Sequence, residues 1–283
     1  MPLNEEFIEA AIVGHLEVVR LLFEKGADIH ADEDAALQIA AGNGHLEVVR
    51  FLVENGADIR AGKGFFWPSD DIDVLNFLSL GEYDFRSETD GAFRLAATQG
   101  HLDVVRFLAE RGANIHVRDD ICLLTAAFYG RLDVVRFLVE NQANIHDECT
   151  DVLLFAATGG HLDVVKYLVQ KGVTISTEPD GRVWPARGAA IGGHLEVVKF
   201  FVEKLPDIDA DRCGLLIEDL DGALKDAASY GHLEIVEFLV EKLHADRHEY
   251  LTEVLDEARE NAISHDHLEI ANFLAGKVIG LKS

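Results

Sequence analysis

Histidine is the residue type here best suited to acid–base work or metal binding at neutral pH, and the chain has 13 of them. Their spacing argues against both roles. Seven of them, His15, His45, His101, His161, His194, His232 and His267, recur in one local context, mostly Gly-His-Leu, at intervals of about one or two repeats. A metal centre needs ligands converging on one point in a closed geometry. Equal placement along a repeat makes a ladder instead, so these histidines are expected to stabilise a turn through their ring nitrogens. His30, His116 and His146 share a second position, after Asp-Ile or Asn-Ile, and read as hairpin residues.

The other reactive types are no more suggestive. Cys122, Cys149 and Cys213 form no Cys-x-x-Cys pair, and their odd number leaves no complete disulfide framework. That fits a reducing, cytoplasmic setting, with Cys122 beside an apolar run as a buried thiol. Paired acids are plentiful but lie on turns expected to be solvated, where carboxyl pKa values stay ordinary. Gly62-Lys63-Gly64 has no following Ser or Thr and is not a phosphate loop. No nucleophile elbow, nucleotide fingerprint or calcium-loop spacing occurs. The expectation is a protein with no catalytic residues, no cofactor and no metal.

Composition narrows the partner. There are 25 Lys+Arg against 51 Asp+Glu, a formal net charge of -26. Nucleic acid needs cationic neutralisation of its phosphates and is a poor match. The acids either keep a long array soluble or attract a protein with a basic segment. The hydrophobic share of 48% can furnish a core. No long uncharged apolar run could span a bilayer, and the N-terminal MPLNEEF lacks the basic region of a secretory signal.

What must position these side chains is a repeat. Gly14-His15-Leu16-Glu17-Val18-Val19 returns from Gly44, Gly100, Gly160 and Gly193, with variants at Gly130, Gly231 and Asp266 and a degenerate copy at Asp70–Leu75. The anchors are 30, 26, 30, 30, 30, 33, 38 and 35 residues apart, which makes about nine units. Before each turn lies a short helix ending in paired alanines such as Ala40-Ala41 and Ala126-Ala127. After it lies an amphipathic helix whose apolar face in one copy is Leu46, Val49, Leu52 and Val53. That helix commonly ends at a glycine, as at Gly56 and Gly172. No single unit can bury its own apolar faces; stacking buries them against neighbours.

These units resemble the ankyrin repeat, on Gly-His-Leu-Glu-Val-Val and Gly-Ala-Asp-Ile above all, and the resemblance covers essentially all 283 residues. It implies an all-α solenoid of helix-turn-helix units, a single domain over 1–283, with fingers at one side and a concave surface that binds other proteins. Most units have 30 residues instead of the common 33 and lack Thr-Pro-Leu-His, which resembles the short repeat arrays of large DNA viruses of protists. On this reading the chain is a non-catalytic adaptor or scaffold, monomeric, with a self-assembling structural protein as the alternative.

Family geometry places first-helix residues just before the turn on the concave side. They are Gln38, Gly42 and Asn43, then Arg94, Thr98 and Gln99, then Leu124, Phe128 and Tyr129, then Leu154 and Thr158, with Tyr230 near the C-terminus. Phe128 and Leu154 could equally pack between helices. The finger acids, Asp32-Glu33-Asp34, Asp119-Asp120, Asp147-Glu148, Asp207, Asp209 and Asp211, would form an electronegative stripe.

Three places break the pattern. The unit near 57–82 carries Phe65, Phe66, Trp67 and Pro68 where a first helix should be, either plugging a gap or exposing an aromatic anchor. Trp184, before Pro185, is a packed cap residue or a binding residue. The insert 211–220 enlarges a finger near 206–222, and the last unit near 246–283, with Asp266 in place of glycine and Val278, Ile279 and Leu281 behind it, reads as a terminal cap.

Overall fold

The computed structural model of the chain describes residues 3–62, 90–116, 120–145, 152–173, 185–204, 210–243 and 248–282, side chains excepted at 210–218, 243, 248–251 and 280–282. All regular elements among these residues are α-helices. They fall into two compact units, 1–150 and 151–283.

The first unit holds four helix pairs: α1 (Leu3–Val13) with α2 (Leu16–Glu24), α3 (Ala31–Gly42) with α4 (Leu46–Glu54), α5 (Gly91–Gln99) with α6 (Leu102–Glu110), and α7 (Ile121–Phe128) with α8 (Leu132–Glu140). The second holds four more: α9 (Val152–Thr158) with α10 (Leu162–Gln170), α11 (Pro185–Ile191) with α12 (Leu195–Lys204), α13 (Ala210–Tyr230) with α14 (Leu233–Leu243), and α15 (His248–Ser264) with α16 (Leu268–Lys282). Within each unit, first helices touch first helices and second helices touch second helices, pair upon pair. Each unit is therefore a stacked-repeat solenoid, and each pair's apolar faces are covered by its neighbours.

The two helix types differ in how much of their surface they bury. In α8 the sequence Leu-Asp-Val-Val-Arg-Phe-Leu-Val-Glu turns Val134, Val135 and Leu138 inward and leaves Asp133, Arg136 and Glu140 exposed. Burial of a side chain such as Leu138 contributes about 1.5–3 kcal/mol. In α7, by contrast, every residue from Ile121 to Phe128 is buried, as expected of a helix that is apolar all round. The paired alanines before each turn are at 0% exposure in α3, α5, α7 and α9. They sit where helices approach one another, and no larger side chain would leave that spacing.

The turn closes the same way in each pair. The residue after the turn glycine donates its N–H to the carbonyl of the first of the two alanines: His45 to Ala40 at 2.9 Å, Arg131 to Ala126 at 2.8 Å, His232 to Ala227 at 2.9 Å. This bond, five residues back, needs a left-handed residue at the glycine, and Gly160 shows it with φ +78.

Three places were expected to break the pattern. The expected third unit falls mostly outside the described residues, which form eight pairs, and α3 and α4 meet α5 and α6 directly. The expanded finger is not a loop: from Ala210 the chain is already helical, and the insert lengthens α13 to 21 residues. Leu220 and Leu224, one turn apart, are both buried. In the last pair, Asp266 does adopt the left-handed turn conformation (φ 62), and Val278 is buried while Ile279 is exposed.

Candidate protein-binding surface

The turn histidines join one pair to the next. His45 Nε2 lies 2.9 Å from the carbonyl oxygen of Ile12, His194 Nε2 2.9 Å from that of Thr158, and His232 Nε2 2.8 Å from that of Ile191. In each case the acceptor stands two residues before the preceding turn glycine, so the Nε2–H tautomer locks adjacent pairs. Where arginine replaces histidine the bond survives: Arg131 Nε donates to the Thr98 carbonyl at 2.9 Å. The rings rest on the preceding glycine so closely that a Cβ on Gly14 would lie 2.5 Å from His45. Burial pushes the His194 pKa below the usual histidine range, against the opposing pull of the Thr158 carbonyl. His45, His194 and His232 are thus engaged in joining one pair to the next.

The finger acids divide into two kinds. Asp32 and Glu33 are exposed, as are Asp28 and Asp58. Asp34 and Asp120, expected in a solvated stripe, are instead 4% and 6% exposed. Both have positive φ, 59 and 62, which turns the side chain inward. Asp34 Oδ1 accepts the Asp58 N–H at 2.9 Å, and Asp120 Oδ2 accepts the Asn144 N–H at 2.6 Å. Asp90, also buried, accepts the Asn114 N–H at 3.2 Å, and Asn4 accepts that of Asp28 at 2.9 Å. The four acceptors form a series, each 24 residues before the finger amide it holds. His30 and His116 add ring contacts at 3.1 and 2.8 Å to Asp34 and Asp120. Sequence reading missed this series, although its signal was present: each acceptor stands ten residues before a turn glycine.

Asp119, Asp147, Glu148, Asp207 and Asp209 lie outside the described residues, as does the side chain of Asp211. A different buried acid stands out in the second unit. Asp219, 1% exposed, accepts the Ala186 N–H at 3.3 Å near the start of α11. Its burial holds the carboxyl well above the usual range, partly countered by that N–H and by Arg187. Arg187 itself is engaged with Asp226 at 2.7 Å. The expectation of ordinary carboxyl behaviour thus fails where a helix extension carries an acid inside.

The first-helix candidates also divide. Arg94, Thr98, Leu124, Phe128, Leu154 and Thr158 are all buried, at 2–6% exposure. Thr98 Oγ1 reaches Thr125 Oγ1 at 3.3 Å, and Thr158 Oγ1 donates to the Leu154 carbonyl at 2.8 Å. Stacking of first helix on first helix covers them, which corrects Arg94, Thr98, Leu124 and Thr158 as surface contacts and leaves Phe128 and Leu154 packed between helices. Gln99 and Asn43 are exposed, Gln38 and Gly42 half-buried. Tyr129 is half-buried, its ring edge-on to Phe128 at 5.2 Å, and Tyr230 is 45% exposed. Ile39 and Leu95, five residues before their turn glycines, are half-buried as well and were not anticipated. Trp67 and Trp184 lie outside the described residues.

Among the described residues no group of three or more His, Cys, Asp or Glu side chains could hold a metal ion. Cys122 is buried, and burial pushes its thiol up to about 12, which suppresses the reactive thiolate. A cleft of about 480 Å³ opens between α6 and α8, lined by Arg106, Glu110, Ile115, Phe137 and Asn141, and none of the expected site residues borders it. Among the described residues no helix is long and apolar enough to cross a membrane.

Comparison with known proteins agrees with this geometry. The family model described as Ankyrin repeats (3 copies) matches residues 7–63, 69–149, 93–179 and 123–212. A search of curated proteins returned no match. Among solved structures, the chain resembles the crystal structure of the human ASB11 ankyrin repeat domain, with a TM-score of 0.54 and 21% identity over 76% of this chain and 91% of that one. At that identity the likeness concerns the fold.

Proposed function

Because the chain belongs to the ankyrin-repeat family, we propose that it is a non-catalytic, intracellular binding module that holds a protein partner through a basic segment. The observation that carries this reading is a coincidence of charge and register in the first unit. The exposed finger acids Asp28, Asp32, Glu33 and Asp58 share this unit with first helices that carry exposed Gln99 and half-buried Ile39, Leu95 and Tyr129 toward their C-terminal ends. An apolar and aromatic centre beside a charged rim suits a protein interface. The net charge of -26 steers a Lys/Arg-rich segment toward it. In the second unit Tyr230 holds the register position of Tyr129. The buried candidates, Leu124 and Phe128 among them, support this face from beneath.

The module acts as a monomer on this reading, because stacking of copies through the first and last described pairs would meet an obstacle at each. At the position eight residues before the turn glycine, later pairs bury a small residue: Ala36, Ala92, Cys122, Val152, Ala223 and Ala258 are all at 0–2% exposure. The first pair has Glu6 there, and burying an unpaired carboxylate costs several kcal/mol. The last pair has Asp266 where a following histidine ring would need a glycine.

Titration of a fluorescent peptide library rich in Lys and Arg, at low and high ionic strength, tests the function. Binding should weaken with salt, weaken in the Asp32→Asn/Glu33→Gln double variant, and weaken in Tyr129→Ala with the fold intact. Binding indifferent to both salt and the acid variant would reject the basic-segment reading.

A further inference from the structure

From Gly44 to the next full turn at Gly100 the chain runs 56 residues, 26 more than the 30 that separate Gly14 from Gly44 and Gly100 from Gly130. The repeat pattern fills this interval with a degenerate unit. The stack does not. A Cβ on Gly44 would lie 2.5 Å from the ring of His101. The same relation joins Gly14 to His45, and Gly100 to Arg131. The second and third described pairs are therefore neighbours in the ordinary register.

The finger between them closes as an uninterrupted finger does. Asp34 donates its N–H to the His30 carbonyl at 3.4 Å within four residues, and Asp90 donates to the Arg60 carbonyl at 3.0 Å across thirty. Ala31 bonds back to the Asp28 carbonyl, and Ala61 to that of Asp58, both at 3.1 Å. Gly91 adds a bond to the Ala61 carbonyl at 3.1 Å. A Cβ on Gly91 would stand 2.6 Å from the Gln38 side chain and 3.2 Å from Gly62, which excludes any intervening helix at that point. Asp90 then performs the task of Asp34, holding the next finger's amide at Asn114.

We propose that the second and third described pairs are consecutive members of the stack, and that their stacking needs none of the 26 residues 64–89. Residues 64–89 are then free to change in sequence or length without cost to the described pairs on either side. This inference is independent of the partner assigned above.

Excision of 64–89, joining Lys63 to Asp90, restores the 30-residue spacing. Thermal unfolding followed by helical circular dichroism should stay cooperative, with a midpoint equal to or above that of the parent. A second variant replaces 64–89 by a Gly/Ser linker of equal length and should behave alike. Loss of cooperative unfolding, or a midpoint lowered by about 8 °C or more, in both variants would overturn the proposal. A measurement on the full chain needs no excision: a double-mutant cycle of Gly44→Ala with His101→Ala. Direct stacking requires coupling between the two, because removing the ring relieves the methyl clash; additive effects would overturn the proposal as well.

Discussion

Gly160 and Gly172 both adopt left-handed conformations, φ +78 and +93, but only Gly160 carries a neighbour's side chain against its α-carbon. A Cβ at Gly160 would collide with the His194 ring, whereas a Cβ at Gly172 meets nothing within 4 Å. Alanine at Gly172 therefore incurs only the left-handed backbone cost, about 1–2 kcal/mol. Alanine at Gly160 incurs that cost and also displaces the ring, breaking the His194 Nε2 bond to the Thr158 carbonyl. Loss of that bond adds about 0.5–1.5 kcal/mol, and repacking of the displaced ring adds more. The expected totals are about 1–2 kcal/mol for Gly172→Ala and about 2–4 kcal/mol for Gly160→Ala. Urea unfolding monitored at the helical band measures both on one scale. In the cycle with His194→Ala, the Gly160 penalty should shrink toward that of Gly172, a coupling of about 1 kcal/mol. Equal costs for the two glycine variants, or an additive cycle, would refute the claim that the histidine locks neighbouring pairs.

Two further outcomes follow from the buried groups. Because burial lowers the His194 pKa in the folded chain, the unfolded chain takes up this proton more readily, so the His194 contribution is complete above about pH 6.5 and is lost as pH falls toward the folded value. Urea midpoints collected from pH 7.5 to 5 should fall less steeply in His194→Gln than in the parent; parallel curves would remove the assignment. The Cys122 thiol, fully enclosed and pushed up to about 12, should resist an aromatic disulfide reagent at pH 8 in the native chain and react at once in denaturant; rapid native labelling at Cys122, located by mass spectrometry, would contradict its burial.

Legibility differed from residue to residue for a physical reason in each case. The turn histidines were readable because a bond from one pair to the next needs the same donor at the same place every time, and Arg131 shows that a different donor suffices when it reaches the same carbonyl. The Asp34, Asp90 and Asp120 series was equally periodic. Asp34 and Asp120 were read as solvated charge because a carboxylate on an acidic turn gives no sign of facing inward until its backbone conformation is known. Leu124 was placed on the binding face by register alone, yet helix α7 is buried along its whole length. Gln99 and Tyr230, placed by the same rule, did emerge exposed.

The amino-acid sequence by itself determined the local elements: helices from the period of their apolar residues, turns from glycine, and finger ends from Gly-Ala-Asp-Ile. Such features depend on a few adjacent residues, and each copy repeats them. Tertiary structure alone decided which copies are neighbours, and so which side chains are covered. Gly44 meets His101 although a lookalike segment intervenes in the chain, because stacking selects the surface that fits.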